Sequence, residues 1–426
     1  MTSREATPLP RALLSDNATE EGGVLHISGY PVPELTQRFG TPLFVYDEGH
    51  IRERCRQARH AFGSVSYAAK AFFNKTMARL VVEESLSIDV ASGGELFTAL
   101  AAGISPNRLV MHGNAKSRGE LEMALDAGVG RIVVDGFDEL ERLEEMVSPD
   151  EGVDIMLRVT PGVAIHTHDF VSTGQDDSKF GFTLSTGMAH TAVKRATESK
   201  KLRLRGIHLH IGSQVFRGQS FGDAIDVVAP ALREWALPEF VLGGGLGVAY
   251  VTGETAPDFE ELGRVVTASL ESAGLSDLDV GIEPGRSIVA SAALTVYTVE
   301  AVKDLPGIRR YVAVDGGMSD NPRPVLYGSG YEAFDPTNVD GERPQIARIV
   351  GKHCESGDIL VDDAHIPEGI SAGDLLATPV TGAYGHSMGS NYNKIPRPAV
   401  VLVNDKGVTE IIRRERYEDL LTTDLG

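Results

Sequence analysis

The residue with the clearest chemical potential is Lys70, in the stretch Ser-Tyr-Ala-Ala-Lys-Ala at residues 66–71. An apolar and aromatic run precedes it, with turn formers upstream, so we predict that Lys70 ends a short buried strand. An ammonium there is costly to desolvate, and a lysine that loses its proton readily becomes a nucleophile toward carbonyls. Taken alone, this stretch is better explained by a lysine at a strand end whose ammonium reaches solvent than by a desolvated nucleophile. Support for chemistry therefore has to come from other residues.

A glycine cluster, Gly-Gly-Gly-Leu-Gly at Gly243–Gly247, follows a predicted strand. Successive backbone N–H groups in such a cluster can bind a phosphate, and Ser213, after the preceding strand, could add a hydroxyl. The spacing does not match the dinucleotide-binding fingerprint, because its third glycine would fall on Val248. The cluster indicates either a phosphate cradle or a tight structural turn.

Two histidines, His208 and His210, occupy alternate positions of one predicted strand and therefore point to one face. Together with His166 and His168 they could bind zinc, for which imidazole is a common ligand. However, no carboxylate is obviously paired with them and no cysteine lies near them in the sequence. We therefore predict no metal and favour a histidine that stacks on a flat cofactor ring or packs in the core.

Glu283 ends another predicted strand in the segment Glu-Pro-Gly-Arg, which also contains Arg286. The two side chains could form a simple ion pair. A carboxylate at this position could instead accept a hydrogen bond from a pyridinium N–H and keep that ring protonated, which makes the ring an electron sink. Arg286 would then bind a substrate carboxylate.

Reactive side chains also occur in the last quarter of the chain. Arg323 and Tyr327 are four residues apart, Cys354 and Glu355 are adjacent in a turn, and Tyr384 follows a predicted strand. Taken singly, each residue is better explained as part of the surface or of a turn. Only as a set do they indicate an active site.

The elements that position these residues alternate between short apolar strands and amphipathic helices over residues 41–287. This alternation implies parallel strands, and the number of units favours a (β/α)8 TIM-type barrel over an open sheet. Functional groups in such a barrel lie at the carboxyl ends of the strands. The residues predicted at these ends are Lys70, Asp89, His112, Arg158, His208, His210, the glycine cluster and Glu283.

The pattern differs on either side of this region. Over residues 288–426, strand-like segments alternate with Gly, Pro and Asp turns, which predicts a second, mostly β C-terminal domain. Residues 1–40 are interpreted as an N-terminal arm that contributes to the β domain, mobile up to about residue 23.

The composition is that of an ordinary globular protein, with 42% hydrophobic and 23% charged residues over 426 positions. The formal net charge of −20 argues against nucleic acid or an anionic membrane as a partner. We find neither a signal-peptide pattern nor an apolar run of membrane-spanning length. Two cysteines, Cys55 and Cys354, are too few for a disulfide framework. We therefore expect a cytoplasmic protein.

Taken together and in this order, the segments resemble the fold-type III pyridoxal-phosphate decarboxylases, which have an alanine racemase-like barrel, and within them the branch that acts on diaminopimelate. The resemblance runs from about residue 40 to the C-terminus, and its specificity comes from the set rather than from any one motif. It rests on Tyr-Ala-Ala-Lys-Ala at 67–71, Asp-Val-Ala-Ser-Gly-Gly-Glu at 89–95, His-Leu-His-Ile-Gly-Ser-Gln at 208–214, the glycine cluster, Glu-Pro-Gly-Arg at 283–286, Asp-Gly-Gly-Met at 315–318, Asn-Pro-Arg-Pro-Val-Leu-Tyr at 321–327, Cys-Glu-Ser-Gly-Asp at 354–358 and Gly-Ala-Tyr at 382–384.

The resemblance implies pyridoxal 5'-phosphate as cofactor and assigns roles to these residues. Lys70 would hold the cofactor through its amine, His210 would stack on the ring, and Cys354 would return a proton to the substrate carbon as general acid. These three form the implied catalytic set. The implied cofactor-binding set is Lys70, Asp89, His210, Ser213, Gly245, Glu283, Gly285, Arg286 and Tyr384.

The implied reaction is decarboxylation of meso-2,6-diaminopimelate to L-lysine and carbon dioxide, the last step of lysine biosynthesis. This substrate carries a second amine and a second carboxylate, so its site needs cationic groups and an acid away from the ring. Ornithine and arginine decarboxylases of this fold have no distal carboxylate to bind, so Arg323 together with Glu355 favours diaminopimelate. The implied substrate-binding set is Arg286, Arg323, Tyr327, Glu355 and Tyr384.

The resemblance also implies a homodimer with two shared active sites, in which Cys354 and Glu355 reach the site of the other subunit. His386 and Gly389 depart from the family pattern and affect the expected shape of the pocket. Two alternatives stay open: another pyridoxal-phosphate activity, such as an amino-acid racemase or a decarboxylase of a different diamino acid, and a catalytically inactive binding homologue. The presence of both Lys70 and Cys354 argues against the second.

Overall fold

The structure is a computed structural model, and it describes residues 8–162 and 175–426. The chain divides into two compact units. One contains the residues up to Ile51 together with Ala249–Thr255 and Val289–Gly426, and the other contains Arg52–Val248 and Ala256–Ile288. His166 and His168, which we weighed as zinc ligands, lie outside the described residues.

Eight parallel strands form a closed barrel in the second of these units, which confirms the predicted (β/α)8 fold. The ring closes where the first strand pairs with the last. The strands are Ser64–Ala68, Ser87–Val90, Leu109–Met111, Arg131–Val134, Val153–Thr160, Leu202–Leu209, Glu239–Gly243 and Asp279–Glu283. A further short strand, Phe182–Thr183, pairs in parallel with Val153–Thr160.

Helices follow the barrel strands, and local residue types fix where they begin. The Asn74 side chain accepts hydrogen bonds from two backbone N–H groups of the first turn of Lys75–Glu83, and Ser117 and Glu120 form a capping box on Arg118–Ala127. Such caps contribute about 1 kcal/mol each and fix the loops that lead from strand ends into helices. The helix Glu48–Phe62 precedes the first barrel strand, and the helices that follow barrel strands are Lys75–Glu83, Gly93–Ala101, Arg118–Ala127, Phe137–Met146, Met188–Glu198, Gln219–Trp235, Phe259–Ser272 and Arg286–Val289.

The other unit is mostly β, as predicted. Its long strand Ala293–Leu305 pairs with three others in an eight-stranded sheet. The strands of this sheet are Leu43–Asp47, Ala293–Leu305, Arg309–Val314, Gln345–Val350, Ile359–Ile366, Leu375–Pro379, Ala399–Asn404 and Gly407–Ile412. The unit also contains a three-stranded sheet of Ala18–Glu21, Val24–Ile27 and Tyr30–Pro31, and the helices Val32–Phe39 and Arg323–Tyr327.

The strand Leu43–Asp47 differs from the sequence prediction. We assign it from the sequence to the barrel domain, which we begin at residue 41, but it pairs in parallel with Ala399–Asn404 and antiparallel with Ala293–Leu305 in the β unit. All five of its residues are buried. A short, fully buried run identifies a strand but does not indicate which sheet the strand joins.

The N-terminal segment is also more ordered than predicted. The first strand of the small sheet, Ala18–Glu21, lies within the segment that we expected to be mobile up to about residue 23, and Leu9, Leu13 and Leu14 are buried. Among the described residues, no helix combines the length and apolarity needed to cross a bilayer.

Candidate active site

Lys70 lies just beyond the first barrel strand, on the 3-10 turn Ala69–Ala71. The two alanines of this turn are buried whereas Lys70 is exposed, and the hydroxyl of Tyr67 donates to the carbonyl of Phe72 at 2.7 Å, which fixes the turn from below. The strand-end position agrees with the sequence, and the exposure matches the lysine that reaches solvent rather than the desolvated ammonium. The desolvation cost of a buried ammonium therefore does not apply to Lys70.

Glu283, the last residue of the last barrel strand, is held by two imidazoles. His112 Nε2 donates to Glu283 Oε1 at 2.9 Å and His208 Nε2 donates to Oε2 at 2.8 Å, and all three side chains are buried. Burial alone would raise the pKa of Glu283, but His112 and His208 outweigh burial and hold that pKa well below its ordinary value. Glu283 is therefore an ionised carboxylate with both oxygens fixed.

His112, His208 and Glu283 also have side chains of the types that bind metal ions. The ligand atoms of His112, His208 and Glu283 lie within 4.8 Å of one another, and the two imidazole rings meet edge to face at 4.9 Å. Both Nε2 atoms already point at the carboxylate, so hydrogen bonding accounts for the arrangement. Among the described residues the candidate ligand set pairs His208 with His112, whereas the set that we considered for zinc combined His208 and His210 with His166 and His168, the last two of which are not described.

Asp89, in the second barrel strand, is the next charged group at this end of the barrel. Its Oδ1 lies 4.0 Å from His112 Nε2 and has no hydrogen-bond partner among the residues that the structure describes. Burial raises the pKa of Asp89 to about 6; the charges of His112 and Lys70 oppose this rise, and Glu283 adds to it. A buried carboxyl that titrates near neutrality can hold or release a proton next to Lys70.

His210 presents a neutral ring beside the glycine cluster. Burial lowers its pKa well below the ordinary value, and the charges of Arg158 and Lys70 lower it further. A Cβ atom on Gly243 would lie 2.5 Å from Nδ1 of this ring and 2.9 Å from its Cβ. The first glycine of the cluster therefore leaves room for the imidazole, which is flat, uncharged and suited to stack on an aromatic ring.

The rest of the glycine cluster meets the loop that follows the His208 strand. Gly245 has a φ of 104°, and a Cβ there would collide with the carbonyl oxygen of Gly212. The N–H of Val215 donates to the Gly245 carbonyl at 2.8 Å, and the N–H of Gly247 donates back to the Val215 carbonyl at 2.9 Å. Two strand-end loops are thus joined backbone to backbone, and Ser213 lies in the first of them; a side chain at position 245 would not fit between the loops.

A third loop brings the Glu283 strand against the Lys70 turn. The N–H of Ala68 donates to the Pro284 carbonyl at 3.0 Å, and a Cβ on Gly285 would lie 3.0 Å from the Cβ atoms of both Ala68 and Ala71. Arg286, which follows, begins the helix Arg286–Val289 and is half-buried. Only glycine allows the two loops to approach so closely.

Within the β unit, Arg323 is a buried cation bound by neutral groups. Its Nη1 donates to the Tyr331 hydroxyl at 2.7 Å and its Nη2 to the Ser329 hydroxyl at 3.1 Å, and its guanidinium lies 4.3 Å from the Tyr250 ring centroid. The structure shows no carboxylate paired with it among the described residues. Burial lowers the pKa of Arg323, but the phenols of Tyr250 and Tyr331 more than offset this effect and leave the pKa above its ordinary value.

Tyr327, which we paired with Arg323 from their spacing, is 39% exposed, and the phenol that contacts Arg323 belongs to Tyr331 instead. Tyr384 is half-buried with a φ of 58°, and it is close enough to Arg323 to influence the pKa of the guanidinium. Neither Tyr250 nor Tyr331 was predicted from the sequence, because their partner Arg323 is 73 and 8 residues away and neither tyrosine belongs to a recognised motif.

Cys354 and Glu355 both lie exposed on one turn of the β unit. The backbone N–H of Cys354 donates to Asn393 Oδ1 at 2.9 Å, and the Tyr392 hydroxyl lies 3.4 Å from Glu355 Oε2. His386, one of the two departures from the family pattern, is buried, and its ring and that of Phe44 meet edge to face with centroids 5.7 Å apart.

Comparisons with known proteins agree with this arrangement. Residues 48–290 match the family model of the pyridoxal-dependent decarboxylase, pyridoxal binding domain. The chain is 46% identical over 420 residues to a diaminopimelate decarboxylase of Bacillus subtilis, covering 95% of each chain, and 43% identical over 440 residues to one of Mycobacterium tuberculosis, covering 98% of each. The crystal structure of a diaminopimelate decarboxylase from M. jannaschii in complex with L-lysine superimposes with a TM-score of 0.88 at 31% identity, covering 97% of this chain and 98% of that one.

Proposed function

Because this chain belongs to the pyridoxal-dependent decarboxylases, and within them to the diaminopimelate decarboxylase family, we propose that it converts meso-2,6-diaminopimelate to L-lysine and carbon dioxide with pyridoxal 5'-phosphate. The observation that carries this proposal is the ionised Glu283, fixed by two imidazoles at the end of the barrel strand next to the Lys70 turn. A permanently charged acceptor is what a protonated pyridine nitrogen requires.

The residues at this end of the barrel fit the cofactor. A side chain at Gly245 would collide with the Gly212 carbonyl, so the two strand-end loops that carry Gly245 and Ser213 approach each other backbone to backbone, and the backbone N–H groups of such loops can bind a phosphate. We assign the phosphate to Ser213, Gly245, Gly285 and Arg286, and the ring face to His210. When bound, the cofactor withdraws electrons from the substrate carbon that loses carbon dioxide.

The side chains of the barrel then have separate tasks. Lys70 would hold the cofactor through its amine. Glu283 would accept a hydrogen bond from the pyridine nitrogen, and its low pKa keeps it charged throughout the physiological range. Asp89, with a pKa of about 6 and within electrostatic reach of Lys70, would hold or release a proton beside the lysine amine.

We assign substrate selection to the groups that can bind the remote end of diaminopimelate. The Arg323 guanidinium is charged and buried against hydroxyls and phenol rings, so a substrate carboxylate would gain a strong charge-assisted hydrogen bond from it. The distal carboxylate is also bound by Arg286, Tyr327 and Tyr384, and the distal ammonium is bound by Glu355. Cys354 donates the proton that replaces the lost carboxylate.

We further propose a homodimer in which Cys354 and Glu355 serve the active site of the second subunit. Their exposure on the surface of the β unit supports this assignment. Both cysteines are unpaired, which is consistent with a reducing compartment, and we propose that the enzyme works in the cytoplasm.

The direct test is to incubate the purified, cofactor-loaded chain with meso-diaminopimelate, L-ornithine, L-arginine or L-alanine, and to follow carbon dioxide, L-lysine and optical rotation. Carbon dioxide and L-lysine in equal amounts from diaminopimelate alone would support the proposal. Racemisation of alanine, or faster release of carbon dioxide from ornithine, would support another pyridoxal-phosphate activity instead.

A further inference from the structure

A short segment of the β unit, Tyr392–Lys394, contacts both members of the Cys354–Glu355 pair. Asn393 Oδ1 accepts the backbone N–H of Cys354 at 2.9 Å. The Tyr392 hydroxyl lies 3.4 Å from Glu355 Oε2. The contacts join residues 39 and 37 positions apart, so they are tertiary contacts and not a product of local turn geometry.

The backbone of this segment is held in an uncommon conformation. Asn393 and Lys394 have φ angles of 55° and 57°, in the left-handed region that costs most residues about 1 kcal/mol. Asparagine tolerates this region better than other residues with a side chain, and it also supplies a carbonyl acceptor. Position 393 therefore suits asparagine on two independent grounds.

The segment is fixed to the rest of the unit at both ends. The amide of Asn391 donates to the Ile395 carbonyl at 3.1 Å and to Glu415 Oε2 at 2.6 Å. The Tyr392 ring stacks on the His353 ring, with centroids 5.7 Å apart and planes within 3° of parallel. The ring Nδ1 of His353 is in turn hydrogen-bonded to Asp358 Oδ2 at 2.8 Å. The residues that contact Cys354 and Glu355 are therefore themselves held in place by other residues of the β unit.

We propose that Asn393 and Tyr392 are positioning residues for the reaction: Asn393 fixes the backbone from which Cys354 delivers its proton, and Tyr392 orients Glu355 toward the distal ammonium. This inference rests on the proposed function. It predicts that the two residues affect different kinetic constants, because proton delivery governs kcat whereas the distal ammonium governs substrate binding.

Two substitutions at position 393 distinguish the effect of the side-chain acceptor from the effect of the left-handed backbone conformation. Asn393→Gly keeps the left-handed conformation and removes the acceptor, whereas Asn393→Asp keeps both. We expect Asn393→Gly to lower kcat by ~10-fold to ~100-fold with KM for diaminopimelate within ~2-fold, since small misplacements of a reacting group are costly. Asn393→Asp should stay within ~3-fold of the unchanged enzyme. The matched control is Lys394→Gly, which adds a glycine at the next left-handed position of the same exposed segment and should leave kcat unchanged.

Alkylation by iodoacetamide reports on Cys354 without reference to turnover. Cys55 is buried, and burial raises its pKa to about 12, so the exposed Cys354 is the thiol that reacts. Because Asn393→Gly releases the Cys354 backbone, the alkylation rate of the cofactor-loaded enzyme should rise by ~3-fold or more. Lys394→Gly should not change it.

For Tyr392, the informative variant is Tyr392→Phe, which keeps the ring on His353 and removes the hydroxyl. KM for diaminopimelate should rise ~3-fold to ~10-fold at constant kcat. An unchanged KM would refute the role of Tyr392.

The role of Asn393 is refuted if Asn393→Gly matches the unchanged enzyme in both kcat and alkylation, or if Lys394→Gly loses as much as Asn393→Gly. Failure of the proposed function has a different signature. Full turnover in Cys354→Ala would remove Cys354 from the reaction, while the difference in alkylation between the two glycine variants would still report the Asn393 contact.

Discussion

His208 Nε2 lies 2.8 Å from Glu283 Oε2, in a site where both side chains are buried. Together with His112, which holds the other oxygen, this contact decides the charge of Glu283. Without the two imidazoles, burial would favour the neutral carboxylic acid. A neutral acid could not keep a pyridine nitrogen protonated.

Substitution of His208 by Gln should therefore shift the pH dependence of the reaction. The pKa of Glu283 lies well below its ordinary value, and loss of one imidazole should raise it, so the acid limb of kcat/KM should move to higher pH. At pH 7 we expect a loss of ~10-fold in kcat. His190→Gln, at a half-buried histidine that pairs with Glu234, is the control and should leave the profile in place. An acid limb that stays where it was in His208→Gln would refute this role.

Arg323 should select for the second carboxylate of the substrate. Arg323→Ala removes a buried charge-assisted hydrogen bond, so kcat/KM for diaminopimelate should fall ~100-fold or more, mostly through KM. L-Lysine keeps the distal carboxylate, because the carboxylate that is lost is the one on the reacting carbon, so the control ligand is 1,5-diaminopentane, which has no carboxylate and whose inhibition constant should change by less than ~3-fold. Arg348→Ala, which breaks an ion pair with the exposed Asp362, should have little effect on either. Equal losses for diaminopimelate and 1,5-diaminopentane in Arg323→Ala would contradict the assignment.

Shared active sites can be tested by complementation. Lys70→Ala and Cys354→Ala should each be inactive as homodimers. In a mixed dimer, one of the two sites would contain both an intact Lys70 and an intact Cys354 from the other subunit, so a random mixture should recover about a quarter of full activity. Quantitative decarboxylation assays on refolded or co-expressed mixtures measure this directly. No recovery in a mixture shown to contain mixed dimers would mean that the two residues do not meet across subunits.

Asp320 offers a prediction on stability. Its side chain is buried, its Oδ2 accepts the N–H of Gly317 at 3.0 Å, and burial raises its pKa to about 7. Between the unfolded pKa of ~4 and this value the folded state binds more protons than the unfolded state, so the contribution of Asp320 to stability falls as pH rises through that window. Asp320→Asn should remove the fall. Relative to the unchanged protein, the variant should gain on the order of 2 kcal/mol between pH 5 and pH 8 in denaturant unfolding. The same difference at both pH values would contradict this explanation.

The sequence predicted the barrel because strand and helix periodicities alternate clearly, and strand-end chemistry followed from that topology. It did not predict the sheet that Leu43–Asp47 joins, since pairing with Ala399–Asn404 links segments more than 350 residues apart. Nor did it predict the 3-10 turn Ala69–Ala71, in which the two alanines are the buried residues and Lys70 is exposed.

Within the site, the polar contacts between residues that are distant in the sequence were not predicted either. Glu283 stood out by its motif, but the two imidazoles that set its charge come from other barrel strands and carry no mark of that role in the sequence. The spacing of Arg323 and Tyr327 suggested a pair, yet the partner phenol is Tyr331, beyond the end of the helix Arg323–Tyr327. Sequence motifs identify the groups that we propose to react. The residues that contact those groups are set by tertiary packing and cannot be read from a motif.

The central claim is that the Lys70 amine holds the cofactor and yields it to the amine of diaminopimelate. Reduction of the cofactor-loaded enzyme with borohydride, followed by peptide mass mapping, tests it most directly. We predict that the reduced cofactor is found on the peptide that contains Lys70, and that meso-diaminopimelate added before reduction removes it from that peptide far more effectively than L-ornithine does. Label on a different lysine, or label on Lys70 that diaminopimelate does not displace, would contradict the account.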